Sequence, residues 1–219
     1  MHRTISMLFL GLLGAGVAGS SLGCSSTGIA VREAFGQAKR EQLVDRVQDA
    51  RDEQEEAKEQ FATTLEEFKA LTGFEGGDLE ATYSRLSREL GRSEDQAGDV
   101  RAKIRSVERV GDALFREWTS ELDAYESDTL RRASEDQLRA TERRYSELVG
   151  AMHRAEDTME PVLSAFRDQV LFLKHNLNAQ AIASLETSVG ELESDIERLI
   201  NEMEASIAEA NAFIDAMDS

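Results

Sequence analysis

Three kinds of side chain in this sequence of 219 residues could do chemistry: one thiol, a few imidazoles and a large excess of carboxylates. The imidazoles come first, because a metal centre or a general base would draw on them. Beyond the leader the chain carries His153 and His175. They are 22 residues apart on what reads as one helix, a separation of about 33 Å at the rise of an α-helix. One chain cannot bring both to a single metal. Di-iron helical bundles use Glu-x-x-His pairs projecting into the core. Here Gly150 precedes His153 by three residues and Phe172 precedes His175, so that motif is absent. The stretch Phe74 to Asp78 is too short and too poor in ligands for a calcium loop. Gly76-Gly77 is followed by no Lys-Ser/Thr, so it reads as a turn and not as a phosphate cradle. A hydroxyl nucleophile would need a histidine beside it, and neither histidine has a motif around it. His153, at a polar helical position, reads as a surface residue. No metal, no other cofactor and no enzymatic activity are expected.

The thiol is Cys24, the only cysteine, so it cannot form an intramolecular disulfide. It follows a leader. His2 and Arg3 make a short charged start, and Met7 to Ala18 is an apolar stretch too short to span a bilayer as a helix. Small residues Gly19, Ser20 and Ser21 come next, then Leu22-Gly23-Cys24. This order resembles a bacterial lipobox, in which the cysteine takes a diacylglycerol and the chain is cut before it. The usual leucine, three places before the cysteine, is replaced by Ser21, with Leu22 one place late. The alternative is cleavage after Ala18, leaving a soluble periplasmic protein with a free thiol. Acyl chains hold firmly because each buried methylene contributes about 0.8 kcal/mol. Ser25 after the cysteine, where aspartate would signal retention, favours the outer membrane over the inner. The expected organisation is a signal peptide over 1–23, a lipidated tether over 24–28 and a single elongated helical domain over 29–219.

What must position any site is a set of long helices. Proline occurs once and aromatics make up 6%, poor material for an all-β fold, whereas alanine, glutamate, leucine and arginine suit helices. A first helix is expected from about Ile29 to Leu71, with Val47, Ala50, Ala57, Phe61 and Phe68 on alternating three- and four-residue steps and Gln54 and Thr64 as polar interruptions. Gly73-Phe74-Glu75-Gly76-Gly77 is the clearest break, and Asp78 reads as an N-cap. A second helix is expected from about Leu79 to Tyr125. Leu86, Leu90, Ala97, Val100, Ile104, Val107 and Leu114 keep its frame, and Ser93 and Gly111 are its weak points. After a turn near Ser127-Asp128, a third helix is expected from about Thr129 to His175. Pro161 should kink it or break it just before. A turn at Asn176-Leu177-Asn178 leads to a last helix, about Ala179 to Met217, with the most regular heptads of the chain. A sustained 3.5-residue repeat implies left-handed coiled-coil packing. Matched lengths and short connections favour an all-α fold of four long antiparallel helices in an elongated up-down-up-down bundle.

Charge limits the partners. The formal net charge is −18, so phosphate backbones attract this chain little and nucleic acid is not an expected partner. From Asn178 to Ser219 the only base is Arg198, against 10 acids. That reads as a solvated acidic face, with attraction to a basic partner or to divalent cations as the alternative. Arg131, Arg132, Arg139, Arg143 and Arg144 interleave with Glu135, Asp136 and Glu142, the pattern of a salt-bridged solvent face. In the bundle the turn near Ser127 lies at the lipidated end, so Arg131 and Arg132 could instead meet anionic headgroups. At the other end, Val170-Leu171-Phe172-Leu173 is apolar all round, which calls for burial on every side. Either the Gly73–Gly77 loop folds over it, Phe74 against Phe172, or Phe74, Leu171, Phe172 and Leu173 form an exposed tip that receives a partner.

Two stretches carry a family resemblance. One is Leu43-Val44-Asp45-Arg46-Val47-Gln48-Asp49-Ala50-Arg51, followed by Gln54-Glu55-Glu56-Ala57-Lys58-Glu59-Gln60-Phe61. The other is Met159-Glu160-Pro161-Val162-Leu163, running into Phe166 through Ala181. Together they resemble an uncharacterised bacterial family catalogued as domain of unknown function 2959, over nearly the whole chain after Cys24. Members look like predicted lipoproteins of Gram-negative bacteria, so the resemblance implies an envelope location. It implies no activity, cofactor or catalytic residue.

The expected function is therefore that of a non-enzymatic envelope lipoprotein, a helical spacer or docking element with an envelope protein as partner. The alternative is a periplasmic chaperone or holdase that works by opening a helical hairpin. An enzyme would need a concave polar pocket, for which a narrow heptad-packed core leaves little room.

Overall fold

The computed structural model describes the backbone of residues 25–72, 79–176 and 179–218, and the side chains of residues 38–70, 79–176 and 189–217. Four helices follow one another: α1 (Ser25–Thr72), α2 (Leu79–Glu121), α3 (Asp128–His175) and α4 (Ala179–Asp218). A short 3₁₀ turn, Leu122–Ala124, ends α2. No strand occurs among the described residues. The signal segment, Cys24 and the Phe74 loop lie outside them.

Contacts between helices fix the topology. Along α1 and α4, Arg51 Nη1 donates to Asn211 Oδ1 at 3.1 Å and Lys69 pairs with Glu193 at 2.6 Å. As α1 ascends its partners on α4 descend, so the two are antiparallel. Along α1 and α2, Lys39 pairs with Glu117 at 2.6 Å and Gln96 donates to Glu53 at 2.6 Å. Arg167 on α3 reaches Glu94 on α2, and Trp118 reaches Ser134 at the far end. Arg154 on α3 pairs with Glu202 on α4 at 3.6 Å. Each helix lies against its neighbours in sequence, and α4 closes on α1. This is the up-down-up-down bundle that the repeat predicts.

Its core is the heptad stripe. Val47, Ala57, Phe61 and Phe68 of α1, Ile104 and Val107 of α2, Leu148, Met159 and Phe166 of α3, and Leu199 and Met203 of α4 are all fully enclosed. Burying one such branched or aromatic side chain stabilises by about 1.5–3 kcal/mol. Phe68 and Phe166 meet across the diagonal with ring centroids 5.7 Å apart. Two polar layers interrupt the stripe. In one, Thr64 and Ser93 share a 2.9 Å hydrogen bond between helices, so Ser93 is a cross-link and not a weak point. In the other, Gln54 is fully buried and its side-chain amide has no hydrogen-bond partner among the described residues.

Three boundaries differ from the sequence expectation. Helix α1 begins at Ser25, so residues 25–28 are helical and not a tether. Helix α2 ends at Glu121, where its last turn tightens to 3₁₀. Helix α3 runs unbroken through Pro161. Proline removes the N–H that would bond the carbonyl of Asp157, but Asp157 and Pro161 are both exposed, so that carbonyl faces water. The α2–α3 turn behaves as expected. Ser127 is the N-cap, its hydroxyl accepting from the Leu130 N–H. At the other end of α3, Asn176 Nδ2 donates to the Phe172 carbonyl at 2.9 Å.

Candidate functional site

The seam between α2 and α3 carries a continuous run of charged and polar side chains. Starting from the Phe166 end, Glu94 meets Arg167 at 2.5 Å, and Arg167 meets Glu160 at 2.7 Å. Glu160 also accepts from Arg101 at 3.2 Å, and Arg101 lies 3.7 Å from Glu156. Glu156 then meets His153 Nδ1 at 3.0 Å, while His153 Nε2 lies 2.9 Å from Glu108. When His153 is protonated, signs alternate without a break along this ladder of seven side chains. Arg167 holds the Glu160 carboxyl below the usual carboxylate range, with Arg101 adding to it. The hydrogen bond to Glu108, opposed by partial burial and reinforced by Glu156, raises the His153 imidazole above its ordinary value.

Next along the seam is a groove of about 440 Å³, lined by Arg105, Glu108, Arg109, Asp112, Tyr145 and Val149. A second of about 470 Å³ continues over Phe115, Arg116, Thr119 and Glu142. Tyr145 lines the first of them. Its ring meets Phe115 edge-on at 5.0 Å and lies 6.3 Å from Phe213 of α4. Its hydroxyl donates to the Val107 carbonyl at 3.4 Å. Burial pushes the phenol well above its ordinary range, and Asp112 and Glu108 push the same way. The ring can come so close to α2 only because position 111 is glycine. A Cβ there would overlap the Tyr145 ring.

This arrangement can bind and clasp. Both nitrogens of His153 face carboxylate oxygens, which leaves neither free to take a proton from a substrate. Among the described residues no group of three or more His, Cys, Asp or Glu could hold a metal ion. His153 is thus more than a surface residue. Its i,i+3 spacing to Glu156 is visible in the sequence, but Glu108 is 45 residues away and only the packing of α2 on α3 brings it there.

The other sequence candidates fall elsewhere. Arg131 lies 3.6 Å from Asp128, Arg132 donates to the Asp128 carbonyl, and Arg139 pairs with Asp136 at 2.7 Å and with Glu135 at 3.8 Å. That is the local ion-pair pattern the sequence suggests. At the opposite end, Leu171 and Phe172 are 55% and 40% exposed. Leu173 is 1% exposed and Val170 7%, so Leu173 belongs to the core and not to an accessible tip. The apolar run divides because a helix turns 100° per residue, which leaves 170 and 173 on the inner face.

The fold defines a class, the all-α antiparallel four-helix bundle. Within it, the chain belongs to the family described as Protein of unknown function (DUF2959), whose model matches residues 29–217. No curated protein matches the chain.

Proposed function

We propose that the protein is a non-enzymatic lipoprotein of the bacterial envelope, anchored in the outer membrane through Cys24, facing the periplasm and acting as a rigid spacer that carries a docking end. The observation that carries this reading is the relation of Cys24 to the rod. Helix α1 starts at Ser25, the residue after Cys24, and runs for 48 residues, about 72 Å. Phe68, which meets Phe166, lies 43 residues along it. Leu171 lies five residues beyond Phe166 on α3, so the exposed Leu171 and Phe172 stand roughly 70 Å along the rod from Ser25.

Headgroup contact by Arg131 and Arg132 fits this geometry less well. Lys39 pairs with Glu117, and the adjacent Trp118 bonds Ser134, so Lys39 and Ser134 share a level. Ser25 lies 14 residues outward from it and Arg131 only three, a difference of about 16 Å along the axis. An upright rod would hold both arginines above the headgroups.

Two measurements test the proposal. Mass spectrometry of the mature N-terminus should find acylated Cys24, and Cys24→Ser should move the protein from the membrane to the soluble fraction. An unmodified Cys24, or cleavage elsewhere, refutes the anchor. A photocrosslinker at Leu171 should capture a specific envelope protein in cells. Capture no different from that at exposed Ala102, in the middle of the rod, refutes the docking end.

A holdase that opens one helical seam is the second reading, favoured by the polar content of the α2–α3 seam. It predicts that the purified domain suppresses aggregation of an unfolded client, and that a disulfide across this seam abolishes the effect.

A further inference from the structure

We propose that His153 is a proton-dependent clasp on the α2–α3 seam: with both ring nitrogens protonated it ties Glu108 to Glu156, and on losing a proton it loosens the seam.

The argument is geometric. His153 Nε2 lies 2.9 Å from Glu108 Oε1 and Nδ1 lies 3.0 Å from Glu156 Oε2. Ionised carboxylates only accept hydrogen bonds, and a neutral imidazole has one N–H. Both contacts can be hydrogen bonds only in the imidazolium. In the neutral ring one nitrogen turns a lone pair toward a carboxylate at hydrogen-bond distance, so one contact becomes repulsive. The contact to Glu156 stays within α3, whereas the one to Glu108 joins α3 to α2, so the proton governs a tie between helices.

The surroundings strengthen the dependence. On α2, His153 faces Glu108, with Arg105, Arg109 and Asp112 around the adjoining groove. On α3 it faces Glu156, which Arg101 of α2 approaches at 3.7 Å. Arg154 is turned toward Glu202 of α4. No described contact ties His153 to α1 or α4. A groove lined by Glu108, Asp112, Tyr145 and Val149 adjoins the clasp on this seam.

The proton's effect has a definite sign. The folded-state pKa of His153 lies above the ordinary 6.5, owing first to the hydrogen bond with Glu108. The clasp is fully present below that ordinary value and is lost as pH rises through the raised one. The seam is thus tied under acid conditions and released under alkaline ones. This holds wherever the protein resides and does not depend on the lipid anchor.

The test uses the whole chain in detergent. NMR titration should place the His153 midpoint above 6.5, and the midpoint should drop toward 6.5 in Glu108→Gln, whose amide can donate to a neutral ring. Hydrogen exchange, corrected for its intrinsic pH dependence, should show protection lost over 101–111 and 149–160 through the same midpoint, with α1 unchanged. Trp118, the only tryptophan, bonds Ser134 across the same seam and gives a second readout by fluorescence. His153→Gln should abolish the pH dependence of both signals. A midpoint at or below 6.5 overturns the proposal. So does a seam whose protection ignores the titration, or one that responds identically in His153→Gln. Glu108→Gln keeps the side-chain volume, so it answers the question even if the histidine variant fails to fold.

Discussion

Gly111 and Tyr145 are one feature seen from two helices. Glycine in the middle of a helix costs about 1 kcal/mol relative to alanine, yet a Cβ at 111 would overlap a ring held by Phe115 and Phe213. Gly111→Ala should therefore destabilise the fold by about 1–3 kcal/mol. In a Tyr145→Ala background the same change should become neutral or stabilising by up to about 1 kcal/mol. Denaturant unfolding of the four variants in the double-mutant cycle measures the coupling. Equal effects in both backgrounds would refute the account. Gln54 is the opposite case, a polar group whose amide is buried without a partner among the described residues. Gln54→Leu should stabilise by about 1–3 kcal/mol, since the desolvation cost of the amide disappears, and a lower Tm would refute that. Gln54 is legible in the sequence as a polar interruption of an apolar stripe. Tyr145 is legible as a stripe residue, but its approach to Gly111 depends on two helices 34 positions apart in the chain.

Charged pairs cross both the α1–α2 and the α2–α3 seams, and between α2 and α3 they join into one ladder. The pairs of the ladder are largely exposed, and exposed pairs contribute only about 0.2–1 kcal/mol each. Helix α3 itself contains a removable defect. Pro161 lies on its exposed face, deprives the Asp157 carbonyl of its donor and costs up to about 3 kcal/mol relative to alanine. Pro161→Ala should raise stability by about 1–3 kcal/mol in denaturant unfolding. A loss of stability would mean that the proline shapes the helix in a way the packing needs. The periodicity places these elements well, and the apolar run 170–173 shows where it stops helping. Four apolar residues in a row name no inner face. Only packing divides them into Leu173 inside and Leu171 with Phe172 outside.

At the scale of the whole molecule, length matters most. A compact domain of 195 residues has a radius of gyration of about 16 Å, while a uniform rod of about 72 Å has one near 21 Å from its length alone. Small-angle scattering of residues 25–219 should give the larger value, and the smaller one would rule out the rod. The four helices, their order and most of their core follow from the sequence by itself, because a heptad repeat, one glycine-rich break and two turns of capping-type residues are local properties of the chain. Its membership of the family matched over 29–217 was legible in the same way. What only the tertiary structure decided is what each helix meets: the Thr64–Ser93 cross-link, the seat of Tyr145 on Gly111, and His153 held between Glu108 and Glu156. A repeat specifies which face turns inward. It carries no information about the register of one helix against another, and every one of these contacts is a matter of register.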